Sequence, residues 1–526
     1  MGLLRATGTI GGLTLVSRVL GMVRDMLVAR FLGAGLASDA FLIAWRLPNL
    51  FRALFAEGAF AAVFVPMFNR TMAEADREHP GSGRAAAYLF AEQVLAILFP
   101  FLVLFTVVMI VLASPIVWAM TGGFPDGGPE KFALAVDLTR ITFPYLALIS
   151  IVSLLGGILN SLDRFWVNAA APVLLNICMI GAVLFFRGDT PIATSYTQAT
   201  AVTVSGAMQL AWLAWACRRA GVRLHPRRPR LTPAVRRMLW LILPAALGQG
   251  AIQFNLLIST SLAARFLKQG AVSYLYYADR LNQLPLGLIG IGVGTAILPA
   301  LSRQIGSGNV PAAKETQNRA IELAWFLSLP AAVALCVVAT PLIRGLLQHG
   351  AFTAADTVGA ASALAVFSLG VPAYVLIKVL TPGFYARQDT KTPVNVALVS
   401  MLVNLVGNLT LIWSMGHVGV AAATALSAWV NVVILYAVLH RRDQLRADAR
   451  LISRGLRITL ASAIMGLALW YAGPLSDRYM AGTFLTRVLA LGLLCGGGAL
   501  VYAVAIFGTG AYRLSELKSL VSRRQK

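Results

Sequence analysis

Acidic residues are scarce in this chain: 21 Asp and Glu stand against 44 Lys and Arg in 526 residues, and the four types together make only 12% of it. A soluble domain carries about 25% charged residues, so an ordinary soluble enzyme is excluded. Cysteine is scarcer still. Cys178, Cys217, Cys336 and Cys495 lie far apart, without a CxxC pair or a neighbouring histidine cluster, which excludes a metal site or a disulfide framework. The sequence also lacks a GxxxxGK phosphate loop, an HExxH pair and a GxSxG elbow in a soluble strand-turn-helix context. Acidic pairs of the sugar-nucleotide transferase kind are missing from the loops. Neither an enzyme nor a cofactor is expected.

What is present is apolar: 58% of the residues are hydrophobic, and the net charge is +23. Such a charge fits either nucleic acid or an anionic membrane surface. Here the basic residues concentrate in short gaps between long apolar runs, which selects the membrane and excludes nucleic acid. About 20 helical residues cross a ~30 Å hydrocarbon core. Fourteen runs are long enough, near 8–32, 37–66, 88–113, 132–156, 165–186, 192–217, 237–264, 272–300, 317–339, 357–381, 393–414, 418–440, 455–473 and 484–508. The first carries Arg18, Arg24, Asp25 and Arg30, unlike the apolar core of a cleavable signal, so it is expected to remain as a span.

Orientation follows from loop arginines, which are retained in the cytoplasm. The stretch from Cys217 to Arg237 holds eight arginines and no acid, and Arg441 to Arg457 holds six against Asp443 and Asp448. Basic even-numbered connections put both termini in the cytoplasm.

The halves share their punctuation. Pro144 precedes Asn176 by 32 residues and Pro372 precedes Asn404 by 32, with polar turns at Asn160–Arg164 and Arg387–Lys391 between. Arg46 likewise precedes Pro66 by 20, and Arg280 precedes Pro299 by 19. A repeat of six spans is even, hence parallel. The expected architecture is an all-α polytopic membrane protein of about fourteen helices. A first lobe takes 1–220, a basic linker 221–236 and a second lobe 237–440, with the two extra helices in 441–526. Two such lobes are the arrangement of a rocking transporter with its site between them.

Chemistry is sought where ionisable groups lie at membrane depth, because each is costly there unless paired or hydrated. Spans one, two and eight carry most of them: Arg18, Arg24 and Asp25, then Asp39, Arg46, Arg52 and Glu57, then Asp279 and Arg280. At ~100° per residue Asp39, Arg46 and Glu57 share one side of span two and are expected to neutralise each other. Arg52 lies off that stripe. Arg18 shares a face with Asp25, and Arg24 is turned away from Arg18 by about 120°. The planar donors of arginine match phosphate oxygens, which favours an anionic, phosphate-bearing ligand over a cation. A structural ion-pair network is the plain alternative. Pro48 beside Asn49 and Pro285 near Gln283 predict bends in the charged spans. The glycine run 287–294 lies inside a span and reads as close packing or a hinge, not a nucleotide loop.

The runs Ser17–Asp25, Asp39–Asn49 and Phe55–Phe60 resemble the MurJ (MviN) family, as do Tyr276–Leu281, Gln348–Thr353 and Pro382–Pro393. They extend from the first span to the eleventh, in family order. The resemblance implies a fourteen-helix flippase of the multidrug/oligosaccharidyl-lipid/polysaccharide exporter superfamily, with a cavity lined by spans one, two, seven and eight. Its implied substrate is lipid II, the undecaprenyl-diphosphate-linked peptidoglycan precursor, moved across the bacterial inner membrane. Substrate-binding arginines then fall on Arg18, Arg24, Arg52 and Arg280. Asp25, Asp39, Arg46, Asn49, Glu57, Asp279 and Gln283 are the cavity or gating set, although some relatives carry Glu at the position of Gln283. The last two spans would form a groove for the polyprenyl tail.

Transport by alternating access needs no catalytic residue. With no nucleotide motif, membrane potential or an ion gradient is the expected energy source, at ~2.3 kcal/mol per charge per 100 mV; Lys378 in span ten is one candidate for the charge response. Membrane lipids and cell-wall synthases are expected partners, and a monomer is expected to function. The competing readings are an exporter of another lipid-linked oligosaccharide or of cationic drugs, and a nontransporting scaffold that binds lipid II. A drug exporter favours an acidic cavity, which the four arginines oppose.

Overall fold

The computed structural model describes residues 3–52, 59–480 and 482–512, and among them every regular element is a helix. The first half runs α1 (Leu3–Leu32), α2 (Leu36–Phe51), α3 (Ala59–Glu78), α4 (Gly83–Val111), α5 (Ala113–Thr121), α6 (Gly128–Thr142), α7 (Pro144–Ser161), α8 (Phe165–Phe185) and α9 (Pro191–Arg219). The second runs α10 (Pro233–Phe266), α11 (Ala271–Gly306), α12 (Val310–Val337), α13 (Ala339–Leu347), α14 (Ala354–Ser368), α15 (Val371–Tyr385), α16 (Lys391–Met415) and α17 (His417–Arg441). The chain continues through α18 (Ala449–Met480) and α19 (Phe484–Gly508). Each of the fourteen apolar runs falls on one helix or on two consecutive ones. Nine described stretches satisfy both the length and the hydropathy of a membrane span. Phe185, Trp413 and Leu493 are exposed large apolar side chains on such helices, as a hydrocarbon-facing surface requires.

Helix starts at 113, 128, 165 and 191 recur at 339, 354, 391 and 417, a constant offset of 226. Each half thus contains a nine-residue helix (α5, α13) and then a span broken into two (α6 and α7, α14 and α15). The break is proline chemistry. Pro144 and Pro372 sit in the first turn of α7 and α15, where the missing N–H costs nothing and the ring prevents continuation of the preceding helix. The two matched polar turns each carry one left-handed residue, Asp163 and Gln388, both at φ 60°. In contrast, the helix of α11 continues across Pro285 and Pro299, while α2 ends three residues beyond Pro48.

The second of these turns is pinned by Asp389, which accepts the Thr392 hydroxyl at 2.6 Å, the Thr392 N–H at 2.9 Å and Arg442 Nη1 at 2.7 Å. Those donors, the Thr392 hydroxyl foremost, hold the carboxyl at about 2, below its ordinary 3.8. A depressed carboxylate adds stability above its unfolded-state pKa that is lost as pH falls through the folded one. Asp389→Asn is therefore expected to lower the unfolding temperature at neutral pH, with the deficit shrinking as pH falls from 3.8 towards 2. A deficit of constant size in thermal scans across that range would contradict this assignment.

The chain forms two compact units. The first comprises Met1–Val272 with His349–Phe352, the second Ser273–Gln348 with Thr353–Lys526. In the first, α10 packs on α2, α3, α4 and α5. A stack of Phe60, Phe64 and Phe90 fills the space beside α7. Gly157 permits that approach, since a Cβ there would lie 2.9 Å from the Phe64 ring. In the second, α18 and α19 pack on α12 through Ile458, Ala461, Ala505 and Ile506 against Trp325, Phe326 and Leu329. The Tyr502 hydroxyl donates to the Phe326 carbonyl at 2.7 Å, and Trp325 Nε1 donates to Thr459 Oγ1 at 3.2 Å.

Candidate functional site

Within the first unit, α1 lies along α8 and carries three of the expected site residues. Arg24 is 6% exposed and Asp25 3%. Arg24 Nη2 and Nε donate to Asp25 Oδ1 at 2.7 and 3.0 Å, and Nη1 donates to Asn176 Oδ1 at 3.1 Å. Asn176, one of the repeat markers, returns its own amide to the Ser17 carbonyl at 2.9 Å. Arg24 is thus held by a carboxylate from its own helix and an amide from α8. A helical wheel places residues 24 and 25 on different faces, but the long guanidinium folds back along the helix to reach its neighbour. Arg18, half-buried six residues earlier, lines a cavity of about 310 Å³ between α1, the end of α7 and the start of α8.

On span two the described partners of Asp39 and Arg46 come from other elements. Asp39 is 1% exposed and binds Lys131, with Asp39 Oδ2 accepting Lys131 Nζ at 3.0 Å and the Gly270 N–H at 2.8 Å. Lys131, also 1% exposed, donates to Asp126 at 3.1 Å and lies 4.7 Å over the Phe124 ring. Arg46 donates to Thr260 Oγ1 at 2.8 Å and to the Leu256 carbonyl at 3.3 Å, both on α10. Asp39 and Arg46 are thus bound to elements beyond α2. Arg52 caps α2 and donates to Asn49 Oδ1 at 3.0 Å. Glu57 lies outside the described residues.

In the second unit α11 carries Asp279 and Arg280, both half-buried, and exposed Gln283. Gln283 Nε2 donates to Asp279 Oδ2 at 2.6 Å. An amide suits this position one turn from a carboxylate, whereas a glutamate would set two like charges at i and i+4. Lys378 is an exposed residue of α15.

Sequence reasoning missed four buried charged groups, Lys131, Glu92, Glu322 and Asp356, the last closing the capping box of α14. Lys131 stands one residue before the start of the fourth apolar run, so run length alone leaves it outside the span. Glu92 and Glu322 lie inside apolar runs, and each anchors one of the arginine-rich segments read as topology signals. Glu92 on α4 accepts His225 N–H at 2.8 Å and Arg227 Nε at 2.7 Å. Glu322 on α12 is bound by Arg319, by Arg454 at 2.8 Å and by the Tyr512 hydroxyl at 2.9 Å. A lone acid inside an apolar run beside a basic loop was the available signal.

Among the described residues no group of three or more His, Cys, Asp or Glu side chains is arranged to hold a metal ion. A buried guanidinium held by one carboxylate and one amide is a group that suits an oxyanion.

Residues 28–490 match the family model described as lipid II flippase MurJ. A probable lipid II flippase of Rhizobium meliloti is 43% identical, covering 99% of this chain and 97% of its own. A probable lipid II flippase of Vibrio cholerae is 37% identical over 98% of both, and the lipid II flippase of Burkholderia cenocepacia 37% over 84% of both. A solved lipid II flippase in an inward closed conformation shares the fold at TM-score 0.74, with 24% identity over 94% of this chain and 97% of that one. An inward-facing multidrug transporter of the MATE family shares it at 0.65, with 15% identity over 81% and 94%. With matches of this extent and identity, a multi-pass helical fold and no enzyme motif, the chain belongs to the MurJ family of lipid II flippases.

Proposed function

We propose that the protein carries lipid II from the cytoplasmic to the outer leaflet of the bacterial inner membrane by alternating access, for peptidoglycan synthesis. Family membership supports the substrate, and the observation that carries the chemistry is a buried guanidinium, Arg24, held by Asp25 and the Asn176 amide. Arg18, Arg24 and Arg52 of the first unit and Arg280 of the second are the proposed contacts of the diphosphate. Asp25, Asp39, Arg46, Asn49, Glu57, Asp279 and Gln283 shape or gate the path.

Both termini lie in the cytoplasm in this reading, with the repeat halves at 1–220 and 237–440, the basic linker between them, and α18 and α19 serving the polyprenyl tail. Membrane potential supplies the drive, since a charge moving through 100 mV releases about 2.3 kcal/mol. The protein acts as a monomer in a membrane shared with cell-wall synthases.

Depletion in cells lacking a redundant flippase is expected to reduce lipid II exposed at the outer face, with accumulation inside, and the wild-type chain to restore it. Unchanged outward exposure on depletion would overturn the assignment. Binding of lipid II without vectorial movement would make the protein a scaffold.

A further inference from the structure

The run Gln348–Thr353, one of the six that carry the family resemblance, has no part in the site described above. Its four central residues, His349–Phe352, belong to the first unit, although α13 and α14, which they join, belong to the second. Their contacts with the end of α1 are therefore internal to the first unit. A helix leaves its final carbonyls without partners of its own. In α1 the Gly33 N–H donates to the carbonyl of Ala29 at 2.9 Å, and the carbonyl of Arg30 accepts the Ala351 N–H at 2.8 Å. Two glycines permit this backbone approach. Gly33 and Gly350 both have left-handed φ, 69° and 60°, where a side chain is strained. A Cβ on Gly33 would lie 2.6 Å from the Ala351 carbonyl oxygen, and one on Gly350 2.3 Å from that of Arg30. The Phe352 N–H closes the turn on the His349 carbonyl at 3.2 Å, and Phe352 is 2% exposed.

Both shoulders of the tetrapeptide are held by the second unit. On one side Gln348 Oε1 accepts the Thr357 hydroxyl at 3.0 Å. On the other, the Thr353 N–H and hydroxyl both donate to Asp356 Oδ2 at 2.8 Å, and the Tyr274 hydroxyl donates to Asp356 Oδ1 at 2.9 Å. The grip is unequal in kind. Hydrogen bonds to the Asp356 carboxylate are charge-assisted, whereas the tip meets α1 through a backbone hydrogen bond between neutral groups, the weaker sort. A tether of four residues reaches at most about 14 Å, so it travels with α13 and α14 rather than with α1.

We propose that His349–Phe352 is a releasable strap, docked on the end of α1 in this conformation and lifted from it during transport. The proposal rests on the alternating-access reading above, under which this end of α1 faces outside and α13 and α14 move with their unit. Glycine at positions 33 and 350 is what docking requires, and the neutral contact at the tip is what release requires.

The test is a lock with two readouts. In the full chain with Cys178, Cys217, Cys336 and Cys495 replaced by alanine, Gly33→Cys and Ala351→Cys put two Cβ atoms 3.3 Å apart, close to the ~3.8 Å of a disulfide. Because Gly33→Cys strains the turn, the reduced pair is the reference for the oxidised one. In the purified protein, oxidation is expected to slow hydrogen exchange of the peptide 349–353 by about tenfold. In cells lacking a redundant flippase, it is expected to stop lipid II from appearing at the outer face, and reduction to restore it. Unchanged exchange, or undiminished exposure of lipid II with the disulfide formed, overturns the proposal. A wild type that moves no lipid II sinks the flippase reading, and the exchange readout alone then decides on the strap. Should the disulfide not form, Ala351→Pro takes its place. It removes the donated N–H and is expected to speed exchange at Phe352 about fivefold, the effect of losing one hydrogen bond; exchange there at the wild-type rate overturns the proposal.

Discussion

Replacing Lys131 by methionine is expected to destabilise the first unit by about 3–5 kcal/mol, the cost of removing one partner from a buried charge pair. Lys131 pairs with both Asp39 and Asp126, at 3.0 and 3.1 Å, and Asp39 and the lysine are almost wholly excluded from solvent. Methionine fills the volume of the stem and keeps an apolar contact with Phe124, so the loss falls on the charge. Asp39 would keep the Gly270 N–H, a neutral donor, and lose a buried cationic partner. The measurement is thermal unfolding of the purified protein in detergent, with a second variant to identify the cause. If the cost comes from an uncompensated Asp39, Lys131→Met combined with Asp39→Asn should recover part of it, because an asparagine carbonyl still accepts from Gly270. Additive losses in the double variant would place the cost elsewhere, and a Lys131→Met protein that unfolds with the wild type would remove the cluster from the stability argument.

The same cluster shows where a sequence is legible and where it is not. Run length and hydropathy are local properties, so the helices followed from them; Pro144 and Pro372, which break two spans, enter the sequence reading only as repeat markers, and the bends it expects stand at Pro48 and Pro285. The repeat followed from the spacing of prolines and asparagines, although its offset of 226 needed the helix starts. Charge pairing is a different kind of property. A helical wheel assumes that residues on one face answer one another, and on span two it groups Asp39, Arg46 and Glu57. It gives no sign of the partners on other helices, Lys131 on α6 for Asp39 and Thr260 on α10 for Arg46. Partners 92 and 214 positions away are invisible to periodicity. So are Arg227 and Arg454, the distant partners of Glu92 and Glu322. Those anchors also change the meaning of the basic loops, since part of each is fixed to a buried acid of its own unit.

Arg24→Gln is expected to reduce lipid II at the outer face to the level of depleted cells, and its interpretation turns on Asp25. Removing the guanidinium strips a carboxylate that is 3% exposed of a partner 2.7 Å away. That loss alone costs about 3–5 kcal/mol for a buried pair, so inactivity would not separate a lost ligand contact from a weakened α1–α8 packing. Asp25→Asn provides the separation. It disturbs the same buried pair, and is expected to lower the unfolding temperature as Arg24→Gln does, yet it leaves the positive charge and the Asn176 contact in place. A guanidinium that captures a diphosphate loses a competing anion in this variant. Outward exposure of lipid II is then expected to persist with Asp25→Asn and to vanish with Arg24→Gln, at comparable amounts of folded protein in the membrane. Equal loss in both variants would assign Arg24 to holding α1 against α8 and not to the substrate. Wild-type exposure with Arg24→Gln would remove it from the transport path altogether.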